Sequence, residues 1–369
     1  MTAASASARR RPGGLETNSR PIALMIVDDS PIARTVLSRM LSAHKDFEVV
    51  AQAGNAGEAL DALKSIAVDI VLLDVEMPGT SGLQALPEIL KRGNGARVLI
   101  VSSNCEDGAE ATVNALALGA ADTLPKPGTG RFAGRFSEVL AGRLRRIGHA
   151  ERGTVVSGAA PADLMPIRLR AMPDFKLGCL ALGASTGGLH ALGSFLKALP
   201  EKIGAPILVT QHLPPVFMPY FARQLEAACG RQAQVAEEGT LFQAERIYIA
   251  PGDAHLCMHR VGGKVRARLD RTPASSGCKP SVDSMFWSLS ETYGKSGVGI
   301  VFSGMGRDGL VGSARIVDRG GAVLVQDRAT AAIWGMPRAV AEAGLASSIL
   351  SPTDLAARIA ACVQGGPWK

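Results

Sequence analysis

Two series of short apolar segments that alternate with helical patterns constrain the fold of this chain most. In the first half, helical spacing of apolar residues separates five such segments: Ile22–Val27, Phe47–Ala51, Asp69–Leu73, Arg97–Val101 and Asp122–Leu124. Repeated strand-then-helix units predict a doubly wound parallel α/β sheet. A flavodoxin-like strand order of 2-1-3-4-5 would place the functional residues at the carboxyl ends of the strands.

The alternation stops and then resumes in the second half. Residues 149–176 lose periodicity and collect Gly, Ala, Pro and Arg, which is typical of a linker. Apolar runs then return at Cys179–Leu182, Pro206–Val209, Arg246–Ile249, Val298–Phe302 and Ala322–Val325. We therefore predict a disordered basic arm (1–20), a first domain (21–148), the linker (149–176) and a second, Rossmann-like parallel α/β domain (177–369).

Charge and composition exclude several classes of protein. The formal net charge is +7, but the excess lies on the N-terminal arm and around the linker rather than on a recognition helix, so we expect no nucleic-acid partner. The chain has no apolar run of membrane-spanning length and no signal-peptide core, which predicts a cytoplasmic protein without membrane insertion. Its six cysteines form no C-x-x-C pair, which argues against a structural zinc site.

Acidic residues follow two strands of the predicted first sheet. Asp28 and Asp29 come after the first strand and Asp74 after the third, so the three carboxylates should meet at one sheet edge. Such a cluster repels itself unless a hard cation neutralises it, and oxygen ligands suit Mg²⁺. Ser102 ends the fourth strand and Lys126 follows the fifth, so both side chains should face the same site. Each aspartate alone could instead be a strand-end cap.

The stretches VDDS, LLDVEMPGTSGL, VSS and PKP make residues 21–148 resemble the response-regulator receiver family. The resemblance implies that Asp74 accepts a phosphoryl group from a histidine kinase. It also implies Mg²⁺ ligation by Asp29 and Asp74, with Asp28 assisting through water. Ser102 and Lys126 would contact the phosphoryl group. Thr123 stands where the family often has an aromatic switch residue.

A glycine-rich turn, GASTGG, follows the first strand of the second domain. Its G-x-S-x-G pattern predicts a sharp strand-to-helix turn that exposes Ser185 as a nucleophile. Serine needs a base, and His212 follows the next predicted strand. Asp308 follows a third strand and could orient the imidazole, so three strand ends would deliver a nucleophile, a base and an acid to one edge.

Each of these residues has a simpler interpretation. The glycine-rich turn could bind an anion, His212 could be a structural histidine, and Asp308 could cap the following helix. Two other histidines, His190 and His255, are alternative bases, although neither directly follows a predicted strand.

The motifs GASTGG, TQHLPPVFM, YIAPGDAHL, PSVDSMF, FSGMGRDG and WGMPRAV make residues 177–348 similar to the chemotaxis protein-glutamate methylesterase (CheB) family. The resemblance implies a Ser185, His212 and Asp308 triad that needs no cofactor. It implies an oxyanion contact from the Met305 amide and a positioning role for Thr186. The expected substrates are methylated glutamates, and also glutamines, of methyl-accepting chemotaxis receptors.

Two further expectations concern regulation and alternatives. We expect the unphosphorylated first domain to cover the strand-end cleft of the second and to release it after phosphorylation. A serine hydrolase for another ester or amide, and a non-catalytic regulator that binds a partner or DNA, are the competing functions.

Overall fold

The computed structural model of the protein describes residues 20–102, 106–126, 133–148, 167–173 and 176–363. The predicted basic arm, apart from its last residue, and most of the predicted linker lie outside these residues. So does the predicted extent of the second domain beyond residue 363.

The first domain alternates strands and helices from beginning to end. Its elements are β1 (Ile22–Val27), α1 (Pro31–Ser42), β2 (Phe47–Ala53), α2 (Ala56–Ala62), β3 (Ile70–Leu73), α3 (Gly82–Arg92), β4 (Arg97–Ser102), α4 (Glu106–Ala117), β5 (Asp122–Pro125) and α5 (Ala133–Gly148). The strand order is β2-β1-β3-β4-β5, and every pairing is parallel. The predicted flavodoxin-like fold is confirmed.

Local sequence explains where these elements begin. All six residues of β1 are buried, as expected for a central strand covered by helices on both faces. Ser30 caps α1 by accepting a hydrogen bond from the Ala33 amide, and Pro31 occupies the first helical position. Ser81 and Gln84 form a capping box at the start of α3.

The second domain contains nine strands and six α-helices among the described residues. They are β6 (Cys179–Ala184), α6 (Gly188–Ala198), β7 (Ile207–Gln211), α7 (Met218–Cys229), β8 (Ala233–Val235), β9 (Ile247–Ile249), β10 (His255–Val261), β11 (Lys264–Asp270), α8 (Val282–Tyr293), β12 (Gly297–Val301), α9 (Leu310–Asp318), β13 (Ala322–Gln326), α10 (Met336–Glu342), β14 (Ser348–Leu350) and α11 (Pro352–Val363).

Seven of these strands form one parallel sheet with the order β14-β13-β12-β6-β7-β9-β8. Strands β10 and β11 pair separately as an antiparallel hairpin. The order confirms a second doubly wound α/β domain. Because β12, β6 and β7 are neighbours, the residues that follow their carboxyl ends meet at one edge.

Within the described part of the chain, every helix is too short or too polar to cross a lipid bilayer.

Candidate active site

The turn that carries Ser185 joins β6 to α6, and close packing fixes its shape. A Cβ atom on Gly183 would lie 2.4 Å from Cγ1 of Val282, so only glycine fits there. Gly187 has a φ of 72°, in the left-handed region that favours glycine. The Ser185 amide donates a hydrogen bond to the carbonyl of Ser303 over 3.0 Å. These contacts hold Ser185 at the sheet edge, where it is 9% exposed.

Strand β7 brings two polar residues beside this turn. The backbone amide of His212 donates to the carbonyl of Ala184 over 3.2 Å, which continues the pairing of β7 with β6. The side chain of Gln211 donates from Nε2 to the carbonyl of Ser185 over 2.9 Å. Gln211 therefore supports the nucleophile turn directly, a role that the sequence analysis did not assign.

Asp308 connects the catalytic edge to the start of α8. Its Oδ2 accepts hydrogen bonds from Nε2 of His212 at 2.8 Å and from the amide of Val282 at 2.7 Å. Its Oδ1 accepts from the Ser281 hydroxyl at 2.8 Å and from the Asp283 amide at 3.1 Å. A carboxylate facing the first turn of a helix also meets the positive end of the helix dipole. This network holds the imidazole and the carboxylate in one geometry.

The structure disfavours the simpler interpretations of Asp308 and the two alternative bases. Helix α9 is capped by Gly309 without a side-chain hydrogen bond, so Asp308 is not its cap. His190 hydrogen-bonds the carbonyl of Ala117 through Nδ1. His255 is 1% exposed and uses both ring nitrogens on backbone groups, the carbonyl of Thr272 and the amide of Ser281. Of these three histidines, His212 is the one bonded to the buried carboxylate.

The environment of His212 and Asp308 favours a charged pair. Burial acts to lower the pKa of His212, but hydrogen bonds with Asp308 and Cys278 and the charges of both groups raise it to about 9. Burial acts to raise the pKa of Asp308, whereas the hydrogen bond and charge of His212 and the amides of Val282 and Asp283 lower it to about 2. In this arrangement the imidazole therefore holds its proton at neutral pH.

Two residues predicted to assist the nucleophile lie in segments that flank it. Thr186 accepts a hydrogen bond from the Ser303 hydroxyl through its carbonyl at 2.9 Å. Met305 is 37% exposed and follows Gly304, on which a Cβ atom would lie 2.9 Å from Cβ of Ser185. The backbone just before Met305 thus touches the nucleophile, while the oxyanion role of the Met305 amide remains a prediction.

The first domain gathers its predicted residues in a second polar site. Carboxylate oxygens of Asp28, Asp29 and Asp74 lie within 4.8 Å of one another. Nζ of Lys126 lies 2.7 Å from Oδ2 of Asp74 and 2.9 Å from Oδ2 of Asp28. Ser102 ends β4 at the same edge, although its side chain lies outside the described part of the chain.

These donors fit a hard divalent cation. Burial raises the pKa of Asp74 despite the hydrogen bond and charge of Lys126, and the nearby charge of Asp28 acts in the same direction as burial. Oδ2 of Asp28 is buried, and the Lys126 ammonium lies 2.9 Å from it. Three neighbouring carboxylates supply the oxygen ligands that suit Mg²⁺, with water completing its octahedron.

Comparison with known proteins identifies both domains. Residues 180–359 match the family model described as CheB methylesterase, and residues 24–131 match the response regulator receiver domain. The protein-glutamate methylesterase/protein-glutamine glutaminase 1 of Paramagnetospirillum magneticum is 34% identical over 359 residues, which cover 91% of this chain and 94% of the relative. The chain belongs to the CheB methylesterase family.

A second relative and a solved structure are also similar to this member of the CheB methylesterase family. The protein-glutamate methylesterase/protein-glutamine glutaminase 2 of Caulobacter vibrioides is 38% identical over 335 residues, with 90% of this chain and 95% of the relative covered. The crystal structure of the Thermotoga maritima CheB methylesterase catalytic domain is 32% identical, covers 50% of this chain and 98% of its own, and has a TM-score of 0.49.

In this CheB methylesterase family member, the receiver domain lies directly over the nucleophile turn. The Gly187 amide donates to the carbonyl of Ala121, which precedes β5, over 2.8 Å. Arg97 at the start of β4 donates from Nε to the carbonyl of Ala332 over 3.1 Å. The two domains are thus joined by directed hydrogen bonds beside Ser185.

This contact nearly fills the space in front of the nucleophile. Ser185 and His212 line a cavity of about 20 Å³ that is closed on the receiver side by Leu116, Ala120, Ala121 and Asp122. A volume of that size holds about one water molecule. The receiver residues therefore leave little free space in front of Ser185 in this arrangement.

Three residues near the site have roles that were not predicted from the sequence. Gln211 and Ser281 support Ser185 and Asp308, and their positions next to predicted site residues or motifs were the available signal. Cys278 lies in the loop before α8 and is one of the groups that raise the pKa of His212. Only the tertiary fold brings this loop to His212, so no local pattern could have revealed the contact.

Proposed function

We propose that this protein is a phosphorylation-controlled serine hydrolase in which Ser185, His212 and Asp308 remove methyl groups from glutamate side chains of chemoreceptors. The observation that carries the proposal is the hydrogen bond between buried Asp308 and His212, next to Ser185, at three adjacent strand ends. An acid that fixes an imidazole beside a serine at the sheet edge is the arrangement needed for acyl transfer.

The reaction proceeds through an acyl-enzyme. Oγ of Ser185 attacks the γ-carbonyl carbon of the methyl ester while His212 accepts the serine proton, with Nδ1 as the ring nitrogen not bonded to Asp308. The tetrahedral intermediate then expels methoxide, which takes that proton from His212 and leaves as methanol. Water, deprotonated by the same imidazole, hydrolyses the acyl-enzyme to give glutamate and free Ser185. Asp308 stabilises the imidazolium in each half-reaction.

The oxyanion of the tetrahedral intermediate requires hydrogen-bond donors. We assign this role to the Met305 amide, because the chain just before it contacts Ser185. A single oxyanion donor is typically worth about 3 to 4 kcal/mol of transition-state stabilisation. Thr186 is proposed to position His212 or the substrate from the residue after the nucleophile.

The same site is proposed to hydrolyse glutamine side chains. An amide follows the same steps, except that ammonia leaves in place of methanol. Support comes from relatives at 34% and 38% identity, whose names include both protein-glutamate methylesterase and protein-glutamine glutaminase. The triad chemistry needs no cofactor in this proposal.

The receiver domain is proposed to be phosphorylated on Asp74 by a histidine kinase. Asp28, Asp29 and Asp74 would hold Mg²⁺, which supplies positive charge to the incoming phosphoryl group. Lys126, already paired with Asp74, and Ser102 would contact the phosphoryl oxygens. Methyl-accepting receptors and the kinase are the proposed partners, in the cytoplasm, with no nucleic acid.

The domain contact suggests how phosphorylation controls hydrolysis. Residues 21–148 form the proposed regulatory unit and residues 177–369 the proposed catalytic unit, joined by the linker at 149–176. The contact between Ala121 and Gly187 closes the cleft in the unphosphorylated chain. A difference of a few kcal/mol between closed and open arrangements would be enough to switch the population.

Labelling by a fluorophosphonate tests the nucleophile. The probe should modify Ser185 in the chain activated with acetyl phosphate, and Ser185→Ala should lose both labelling and methanol release from methylated receptor. The matched control is Ser194→Ala, in the helix α6 that follows the nucleophile turn. This variant should keep both the labelling and the methanol release. Methanol release that persists in Ser185→Ala would refute the assignment.

A further inference from the structure

Three side chains of metal-binding types, one of them the catalytic imidazole of His212, lie close together. Sγ of Cys278, a ring nitrogen of His212 and a carboxylate oxygen of Asp308 lie within 4.8 Å of one another. They come from three separate segments: the loop before α8, the residue after β7 and the loop after β12. Thiolate, imidazole and carboxylate are the side-chain ligands of Zn²⁺ in proteins.

The surroundings hold these donors nearly in place. The loop that carries Cys278 is anchored at Ser281, whose amide donates to Nδ1 of His255 over 2.9 Å and whose side chain caps α8. Oδ1 of Asp308 accepts hydrogen bonds from the Ser281 hydroxyl and the Asp283 amide. These bonds keep the carboxylate oriented when Oδ2 binds a metal ion instead of His212. Hydrogen bonds of this kind orient metal ligands and raise affinity.

The pair formed by His212 and Asp308 requires only a small adjustment. Zn–N and Zn–O bonds of about 2.0 to 2.2 Å in a tetrahedral site place the N and O atoms about 3.3 Å apart. Nε2 of His212 and Oδ2 of Asp308 are 2.8 Å apart, so they must separate by about half an ångström. The His212 side chain is 15% exposed and Cys278 is partly exposed, which leaves a route for an ion to enter.

We propose that Cys278, His212 and Asp308 bind Zn²⁺, with water as the fourth ligand, and that the bound ion inhibits the hydrolase. The Cys278 thiol and Nε2 of His212 each release a proton to solvent as the Zn–S and Zn–N bonds form. With zinc on Nε2, the neutral imidazole keeps its ring proton on Nδ1, and that nitrogen cannot accept the proton of Ser185. The inhibition rests on the proposed function, whereas the binding site does not.

Cobalt substitution tests the site without using activity. Co²⁺ is added to the full chain in excess Mg²⁺, which keeps the receiver carboxylates occupied. The expected spectrum has intense visible bands of a tetrahedral ion and a thiolate-to-cobalt charge-transfer band. Cys278→Ser should remove the charge-transfer band, while Cys229→Ser, a control cysteine at the end of α7, should keep it. A spectrum that Cys278→Ser leaves unchanged overturns the site.

A ligand-preserving variant separates loss of the ligand from damage to the fold. Cys278→His should still give tetrahedral visible bands but no charge-transfer band. Absence of tetrahedral Co²⁺ bands from Cys278→His, although its circular dichroism and melting temperature match the parent chain, would contradict the three-ligand geometry.

Inhibition is then measured as the ratio of methanol release with and without Zn²⁺ in each acetyl phosphate-activated variant. Loss of a metal-site partner typically costs about 10- to 100-fold in affinity, so Cys278→Ser should raise the half-inhibitory Zn²⁺ concentration at least about tenfold. Equal inhibition of Cys278→Ser and the parent chain contradicts the proposal. A Cys278-dependent cobalt spectrum in a chain that never releases methanol would uphold the metal site and refute the proposed function.

Discussion

The Gly187 amide and the Ala121 carbonyl form a 2.8 Å hydrogen bond that joins the nucleophile turn to the receiver domain. Ala121 precedes β5, and Lys126 follows the same short strand at its other end. Because Lys126 pairs with Asp74, a phosphoryl group on Asp74 would pull on one end of β5 while Gly187 holds the other. Buried Thr123 lies in β5 between these two ends. Because this small residue stands where the receiver family often has an aromatic switch, we expect the strand itself to transmit the effect of phosphorylation.

Loosening the domain contact should raise basal activity. Arg97 donates to the carbonyl of Ala332 in the catalytic domain and to that of Ile147 at the end of α5. Hydrogen bonds to a charged group are worth about 1.5 kcal/mol or more, so Arg97→Gln should shift the closed-to-open ratio about tenfold. The measurement is methanol release without acetyl phosphate.

Arg92→Gln is the control for this prediction, since Arg92 makes an exposed pair with Glu88 on α3 and should leave basal activity unchanged. Basal activity that is equal in Arg97→Gln and the parent chain would show that this contact does not hold the domains closed.

Hydrolysis should accelerate as pH rises. The pKa of His212 is raised to about 9, so the neutral base is a minor species at pH 7, and its population grows about tenfold per pH unit until the pH approaches 9. Since the folded pKa exceeds the ordinary value of 6.5, the stability contributed by protonated His212 is complete below pH 6.5. It is lost as the pH rises through 9. A pH profile of methanol release by the activated chain checks this, and a rate that is flat from pH 7 to 9 would contradict it.

Replacing the carboxylate should affect turnover more than binding. Asp308→Asn keeps a side chain of similar size but loses the charge that stabilises the imidazolium, and in a triad this change costs about 10⁴-fold in kcat. The pKa of His212 should also fall. Asp354→Asn is the comparison variant, because the Asp354 carboxylate bonds the Ser351 hydroxyl at the start of α11 rather than His212. Similar kcat values for the two variants would remove Asp308 from the mechanism.

The sequence was most informative where parallel-sheet geometry decides position. Asp28, Asp74, Ser185, His212 and Asp308 all follow strands, and neighbouring parallel strands must deliver such residues to one edge. The helical spacing of apolar residues between the strands also agrees with the observed helices α1, α6 and α8, each of which has a cap or glycine at its start.

Features that depend on long-range packing could not be predicted. The hairpin of β10 and β11 pairs outside the main sheet, and β8 and β14 have three residues each, too few to show a period. The contact between Cys278 and His212 and the bond between Ala121 and Gly187 join segments far apart in the chain. Only the folded arrangement of loops and domains creates them.

The central claim is that phosphorylation of Asp74 releases a Ser185-dependent methylesterase, and methanol release from methylated receptor measures it most directly. Acetyl phosphate with Mg²⁺ should raise the rate of the parent chain severalfold. Asp74→Asn should keep the basal rate without this increase, and Ser185→Ala should release no methanol in either condition. Methanol release by Ser185→Ala, or equal stimulation of Asp74→Asn and the parent chain, would contradict the account.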